Sequence, residues 1–390
     1  MKRIYVDYNA TVPVTPSHCD MVCDILKTIV GNPSSIHYFG REAKVALEDA
    51  RENVAKFFAC DSQEIIFNSG ATEGNNLIIQ GVVGKASISG RKPHIIITAA
   101  EHSSVRNCAK LLNERGVCDL SIINVFNNGL VDREALLSAI NDDTCLVSVI
   151  HANNEVGVVN PIEELAAAVK DKNNKIHFHA DGVQAFGKLD LTSIANSMVD
   201  SVSVSGHKVG AYKGCGAVYL KRGTQLNSLI IGGGQERARR AGTENMPGII
   251  SFGLRAKEIL QKPDWLEHCT PLFHKLNAEL GRLERVVVHT NADVALGTTL
   301  NFHVEGVSGE ELLLNLDLAG ICVSTGSACS SGVARPSEVL LAMGYSQWAA
   351  LNSIRISFGH GSCASDVDAI IGVLKQVISR STSRPNVGNG

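Results

Sequence analysis

No stretch of the chain stays apolar over the roughly 18 residues that a membrane-spanning helix needs. The opening MKRIYVDYNAT has two basic residues with no apolar segment behind them, which speaks against a secretory signal. It is also too acidic and too poor in Arg and Ser for an organellar transit peptide. Neither charge dominates: 36 Lys and Arg face 39 Asp and Glu, and the formal net charge of -3 gives no electrostatic case for nucleic acid or membrane partners. Internal repeats and low-complexity blocks are missing, as is any C-x-x-C pair, so neither a zinc ribbon nor a thioredoxin-type site is indicated. The 11 cysteines are odd in number and scattered, as expected of thiols kept reduced in a cytoplasm.

What is present reads as α/β. At 390 residues the chain exceeds the size at which one core stops growing, so two domains are expected. PSHCDMVCDILKTIV (16–30) and GREAKVALEDARENVAKFF (40–58) read as helices. In the second, Leu47, Ala50, Val54 and Phe57 recur on one face. EIIF then forms a strand, followed by the turn NSGATEGNN and a helix from about Glu73. HIIITAA, LSIINVF, CLVSVIHA, KIHFHA and SVSVSG alternate with helical segments, which predicts a large, doubly wound, mainly parallel sheet covered on both faces. Asn160 before Pro161 predicts an N-cap with proline at the first helical position. GAVYLKRG reads as a closing strand. Between Gln261 and Trp265 the rhythm changes. VVVHT, TTLNFHVEG and SIRISFG become strands alongside two helices, one opening on a Ser308–Glu311 capping box and one over 365–379. The expected organisation is a large domain over 14–260, a smaller α+β domain over 1–13 and 261–380, and a disordered tail over 381–390.

In open α/β sheets ligands bind beyond the carboxyl ends of the strands. Ser69-Gly70-Ala71-Thr72 follows the first strand of the large domain, at a helix N-terminus whose free N–H groups suit a phosphate or simply make a capped helix. Glu101 and His102, then Asn153, Asn154 and Glu155, then Asp181 and Gln184, then Ser205, His207 and Lys208 follow four others. Nucleotide loops of the P-loop and G-x-G-x-x-G kinds are absent. His177, His179 and Asp181 alternate onto one strand face and could suit zinc or iron, but without a third imidazole at metal spacing buried structural histidines are preferred and no metal is expected. Lys208 is either a solvated lysine or an amine at the sheet's edge inside a crevice. In the crevice its pKa would fall and it would become a nucleophile toward an aldehyde. An aspartate one strand over, a serine, a histidine and a helix N-terminus complete the set that pyridoxal phosphate requires.

One thiol stands apart. Cysteines such as Cys145 and Cys322 lie in apolar runs and read as inert core. Cys329 lies in VSTGSACSSG, among serines and glycines that read as a mobile surface loop.

The ordered blocks YVDYNAT, GNPSSIHYFGREAK, SGATEGNN, AAEHSSV, ANNEVG, HADGVQAFGK, SGHKVGAYKG, GGGQERARRAGTEN, STGSACSSG and SIRISFG run nearly end to end. On them the chain resembles the cysteine desulfurases, class-V aminotransferases of the pyridoxal-phosphate fold type I, in the branch with an extended catalytic-cysteine loop. The resemblance implies that Lys208 carries the cofactor as a Schiff base, that Asp181 pairs with the pyridine nitrogen and that Gln184 bonds the ring hydroxyl. It implies that His102 stacks on the ring and shuttles protons, and that Ala71, Thr72, Ser205 and His207 hold the phosphate. Thr243 would reach that phosphate from the partner subunit of a homodimer, while Asn154 and Arg355 clamp the carboxylate of L-cysteine. Cys329 would take the sulfur as a persulfide, leaving alanine, and hand it to an acceptor such as an Fe–S scaffold protein, for cluster assembly and tRNA thiolation. Gly182 and Val183 depart from the Ala and Thr common in the family, which would loosen packing near Asp181. Cys215 reads as packing. Competing readings are a selenocysteine lyase, separated by relative rates on the two substrates; an aminotransferase, which needs no loop thiol; a cofactor-binding scaffold; and a metallohydrolase built on His177 and His179.

Overall fold

The structure, a computed structural model, describes residues 3–262, 264–325 and 335–382. A short strand β1 (Ile4–Tyr5) precedes seven strands that form one sheet: β2 (Ile65–Asn68), β3 (His94–Thr98), β4 (Asp119–Ile123), β5 (Thr144–Ile150), β6 (His177–Asp181), β7 (Ser201–Ser205) and β8 (Gly216–Leu220). Their spatial order is β2-β8-β7-β6-β5-β3-β4. β8 runs antiparallel to both its neighbours, and the other six strands share one direction. The expected mainly parallel, doubly wound sheet is therefore present.

Alternation of side chains across each strand feeds two cores. Ile96 of β3 and Val147 and Val149 of β5 face the helices Tyr38–Ala55, Ile162–Lys172 and Met246–Gln261. Ile95, Ile97 and Leu146 face the helices Ala71–Ala86 and Ser103–Glu114. Each such buried aliphatic contributes on the order of 2 kcal/mol.

The rest of the chain builds a second sheet and a third core. β9 (Val286–Val288), β10 (Thr299–Val304), β12 (Ser324–Thr325) and β13 (Ile354–Ser357) form a four-stranded antiparallel sheet, while β11 (Ile321–Cys322) pairs in parallel with β1. Leu300, Phe302, Ile354 and Ile356 pack with Trp265, Phe273, Leu312 and Ile370 of the helices Trp265–Leu280, Gly309–Leu318 and Ala364–Thr382. Val6 and Tyr8, next to β1, join this core, so the two chain ends meet.

Four expectations change. Asn160 does not cap the helix that begins at Ile162. Its Oδ1 accepts from Val131 N–H at 3.0 Å and its Nδ2 donates to the Ile150 carbonyl at 2.9 Å, so tertiary partners claim the side chain. The last helix continues through Thr382, with Ser381 held by Arg285, two residues into the segment expected as a tail. Gly182 does not loosen its surroundings: a Cβ there would lie 2.4 Å from Val202 Cγ1, so a neighbouring valine already fills the space an alanine would take. Cys215 is fully buried, in keeping with a packing role, whereas Cys145 and Cys322 are only partly buried. Among the described residues no helix is long and apolar enough to cross a membrane.

One buried ion pair ties the segment around Glu236 to the large sheet. Arg51 donates from both terminal nitrogens to Glu236, each at 2.7 Å, and Glu236 also accepts the Phe67 N–H at 2.8 Å. The pair holds three successive non-glycine residues in the left-handed region: Glu236 (φ 45), Arg237 (φ 58) and Ala238 (φ 58). Such residues cost on the order of 1 kcal/mol each. Glu236→Ala is expected to lower the free energy of unfolding by about 3–5 kcal/mol in urea titration, because it strands the Arg51 charge in the interior; a loss under about 1 kcal/mol would show that the pair does not hold the segment.

Candidate active site

Six strands of the large sheet share a direction, so their carboxyl ends open on one edge. There the structure gathers His102, Asn154, Asp181, Gln184, Ser205, His207 and Lys208 around a cavity of about 590 Å³. Ala71 and Thr72 close it on one side, and Arg355 of β13 reaches it from the smaller sheet. Two of the expected site residues are not placed at this cavity, although Thr243 is expected at the partner subunit's cavity rather than its own. Thr243 is exposed and does not line the cavity, and Cys329 lies outside the described residues.

The phosphate-sized end is built from the helix Ala71–Ala86. Gly70 stands before it at φ 147, and no side chain caps the first turn. A long helix with an uncapped N-terminus offers free N–H groups and a positive dipole end to an anion. Ser205 lies across from it: a Cβ on Gly70 would be 3.7 Å from Ser205 Oγ. His207, also on the lining, is held at Nδ1 by Thr11 Oγ1 at 3.2 Å. Burial, reinforced by the Lys208 and Lys213 cations, pushes its imidazole down to about 4. It is therefore neutral near pH 7, so its contact with an anion is that of a neutral ring.

At the cavity floor Asp181, 3% exposed, ends β6. It accepts from Asn75 Nδ2 at 2.8 Å and from the Val183 N–H at 3.2 Å. Asn75 is the node of a buried polar chain. Its Nδ2 also donates to Ser104 Oγ at 2.8 Å, and Ser104 lies 2.8 Å from His102 Nδ1. On its other side Asn75 Oδ1 meets His179 Nε2 at 3.0 Å. His179 Nδ1 and His177 Nε2 both bond Ser201 Oγ, at 2.8 and 2.7 Å. Because Asn75 Oδ1 only accepts, His179 must carry its proton on Nε2. Its Nδ1 then accepts from Ser201, and Ser201 accepts from His177. These histidines are buried spacers behind Asp181, and three of their four ring nitrogens bond within the chain. Burial depresses His177 to about 4 and His179 to about 3, which keeps both neutral.

The same chain sets His102. The Ser104 N–H donates to His102 Nδ1 at 3.2 Å, which makes that nitrogen an acceptor, so Ser104 Oγ donates to it as well. The neutral ring therefore holds its proton on Nε2. Desolvation by the cavity walls pushes His102 below its ordinary value, opposed by Asp181 and reinforced by Lys208 and Arg106.

Lys208 follows β7. Its Nζ donates to the carbonyls of Asn9 at 2.6 Å and Ala10 at 3.0 Å. Neither acceptor carries a full charge. Burial first, then the Arg355 charge, lowers the amine to about 8, with Asp7 and Asp181 pulling the other way. Arg355, 5% exposed, donates to Asp7 Oδ1 at 2.6 Å and to the Asn154 carbonyl at 3.1 Å. Its Nε is buried without a partner, so the guanidinium keeps a donor free for a ligand. Asp7, Asn9, Asn75, Ser104 and Lys188 belong to this site or stand directly behind it. Sequence reasoning named none of them, although Asp7 and Asn9 lie in YVDYNAT and Asn75 in SGATEGNN.

Chemically the cavity pairs an anion-binding helix end with a buried carboxylate suited to a protonated ring nitrogen, a desolvated amine suited to an aldehyde, and a guanidinium suited to a carboxylate. Among the described residues no cluster of three or more His, Cys, Asp or Glu could hold a metal ion.

The model of the aminotransferase class-V family matches residues 4–370. Over 383 residues the chain is 40% identical to a protein named cysteine desulfurase IscS from Dictyoglomus turgidum, covering 97% of this chain and 96% of that one. Among solved structures, a NifS-like protein superposes with a TM-score of 0.89 at 33% identity, covering 97% of this chain and all of that one. A structure titled SspA in complex with cysteine matches with a TM-score of 0.80 at 32% identity, over 92% and 99% of the two chains.

The lowered amine gives a pH prediction. In the cofactor-free protein, trapping of Lys208 with a small aldehyde and borohydride, read by peptide mass spectrometry, should reach half its maximal rate near pH 8, where roughly half the amine is neutral against well under about 1% for an ordinary lysine. A midpoint near 10.5 would show that the crevice does not desolvate the amine.

Proposed function

Since the chain belongs to the class-V aminotransferase family and, within it, to the cysteine desulfurases, we propose that it converts L-cysteine to L-alanine and takes the sulfur onto Cys329 as a persulfide. The observation that carries this reading is the convergence of Lys208, Asp181, Gln184, His102 and Arg355 on one cavity at the carboxyl edge of the sheet.

The family works with pyridoxal phosphate, and the groups on the cavity fit it. Bound there, the cofactor supplies an electron sink for charge that develops on the substrate's α-carbon. The first turn of the helix Ala71–Ala86, with Thr72, Ser205 and His207, would hold its phosphate. Asp181 would keep the ring nitrogen protonated, and Asn75 would hold that carboxylate in place. Lys208 Nζ would hold the cofactor covalently and, when displaced by the substrate amine, would serve as a base near neutral pH. Arg355 would bind the substrate carboxylate by exchanging part of its contact with Asp7. His102 would hold or move a proton at Nε2.

In the sulfur step the Cys329 thiolate attacks the substrate sulfur, so an S–S bond forms as the substrate C–S bond breaks. The released carbon takes a proton, giving L-alanine and a Cys329 persulfide, with no outside oxidant or reductant. The natural onward partner is a sulfur acceptor such as an Fe–S scaffold protein, and the persulfide can also serve tRNA thiolation. A homodimer would complete the site. Thr243 is exposed and does not line its own cavity, and Ile231, adjacent to the Ile230 carbonyl that accepts the Ala241 N–H, is 89% exposed.

Cys329→Ala should cut sulfide release from cysteine in the presence of a reducing thiol at least about 100-fold, the size of losing an essential nucleophile. It should leave the visible absorbance of the bound cofactor unchanged. Wild-type protein incubated with cysteine should gain one sulfur atom on the Cys329 peptide by mass spectrometry. Turnover by the variant at the wild-type rate would refute the role of this thiol.

A further inference from the structure

The mechanism above leaves one buried cation unused. Lys188 is 8% exposed, and its Nζ donates to Gln184 Oε1 at 2.7 Å. Among the described residues that oxygen is its one hydrogen-bond acceptor. Its second contact is the ring face of Trp265, with Nζ 5.4 Å from the centroid. A lysine buried against a neutral amide and an aromatic face costs several kcal/mol of desolvation and gains no ion pair in return. Burial, with Lys208 and Arg355 adding repulsion and Cys269 opposing, lowers its amine to about 7. A chain needing only to fill this volume would do better with methionine.

The geometry next to it explains the expense. A primary amide has an acceptor end and a donor end that differ little in shape, so a glutamine facing a cavity can turn either way. Below about pH 7 the Lys188 amine is an ammonium, which has only donors. With Lys188 Nζ on Oε1, Gln184 has one orientation left, with Nε2 at the other end. The structure places that Nε2 3.1 Å from the Asn9 carbonyl, the same oxygen that accepts Lys208 Nζ at 2.6 Å. Lys188, Gln184, Asn9 and Lys208 thus form one continuous hydrogen-bonded row under the cavity, and Gln184 lines the cavity itself.

We propose that Lys188 is a positioning residue: its ammonium locks the Gln184 amide so that the donor end faces the cofactor's ring oxygen, favouring the ionised form of that oxygen. The inference rests on the pyridoxal phosphate reading of the cavity and assigns a role to a side chain that touches neither cofactor nor substrate. Trp265 opens a helix packed on the smaller sheet, whereas Gln184 follows β6 of the larger one. The same ammonium therefore keys the amide's orientation to the seating of one sheet on the other.

Lys188→Met keeps the stem and removes the charge. In the cofactor-loaded protein, the pH midpoint of the cofactor's visible band should rise by about one unit, a tenfold change in that ionisation. Lys188→Arg should recover at least half of the shift. In a Gln184→Ala background, Lys188→Met should add no further shift. Thermal unfolding of the cofactor-free Lys188→Met protein should be unchanged or occur at higher temperature, since a buried charge is removed; a purely structural lysine would lower it. The proposal is overturned if Lys188→Met leaves the midpoint at the wild-type value, if it shifts the midpoint equally with and without Gln184, or if the cofactor-free variant loses stability while Lys188→Arg recovers nothing. A wild-type protein that showed no cofactor band would instead refute the reading of the cavity on which the proposal stands.

Discussion

The site depends on an amine kept from water without being given a counter-ion. Lys208 Nζ sits against two backbone carbonyls, with the Arg355 charge close enough to oppose its own. A carboxylate in contact would have held the ammonium and silenced the nucleophile. The nearest acids are committed elsewhere: Asp7 to Arg355, and Asp181 to Asn75. The ion pairs and amide bonds around the cavity act partly by exclusion, keeping negative charge close enough to tune the amine but not to neutralise it.

That arrangement follows from topology. Strands sharing one direction put their carboxyl ends on one edge, and the loops leaving β2, β3, β5, β6 and β7 each bring a polar group there. The N-terminal segment then crosses to the same place. Asn9 bonds Ser357 Oγ and Thr299 Oγ1 of the smaller sheet, while its carbonyl receives Lys208 and Gln184 of the larger one. This single residue binds the two sheets together at the chemical centre. The row from Lys188 and the chain from His177 through Asn75 are the buried supports of two cavity-lining groups, Gln184 and Asp181.

Much of this was legible in the sequence, and the reasons differ by residue. Strand–helix alternation revealed the sheet because its strands are buried on both faces and read as continuous apolar runs. His102, Asp181 and Lys208 were legible because they follow such runs directly, where a parallel sheet places ligands. The supporting residues were not. Asn75 lies inside a helix, Lys188 lies seven residues past the end of β6, and Asn9 lies near the chain start, so only the tertiary fold shows that each touches the site. Asn160 misled because an asparagine before a proline has a strong local preference, and two buried backbone partners outweighed it. Gly182 misled because an absent side chain says nothing of the neighbour that fills its place.

The most direct test of the central claim is to load the protein with pyridoxal phosphate, reduce with borohydride, and locate the pyridoxyl mass by peptide mapping. The adduct is expected on the peptide containing Lys208, at about one per chain. Its appearance on Lys188 or Lys213 instead, or no adduct at all, would contradict the account.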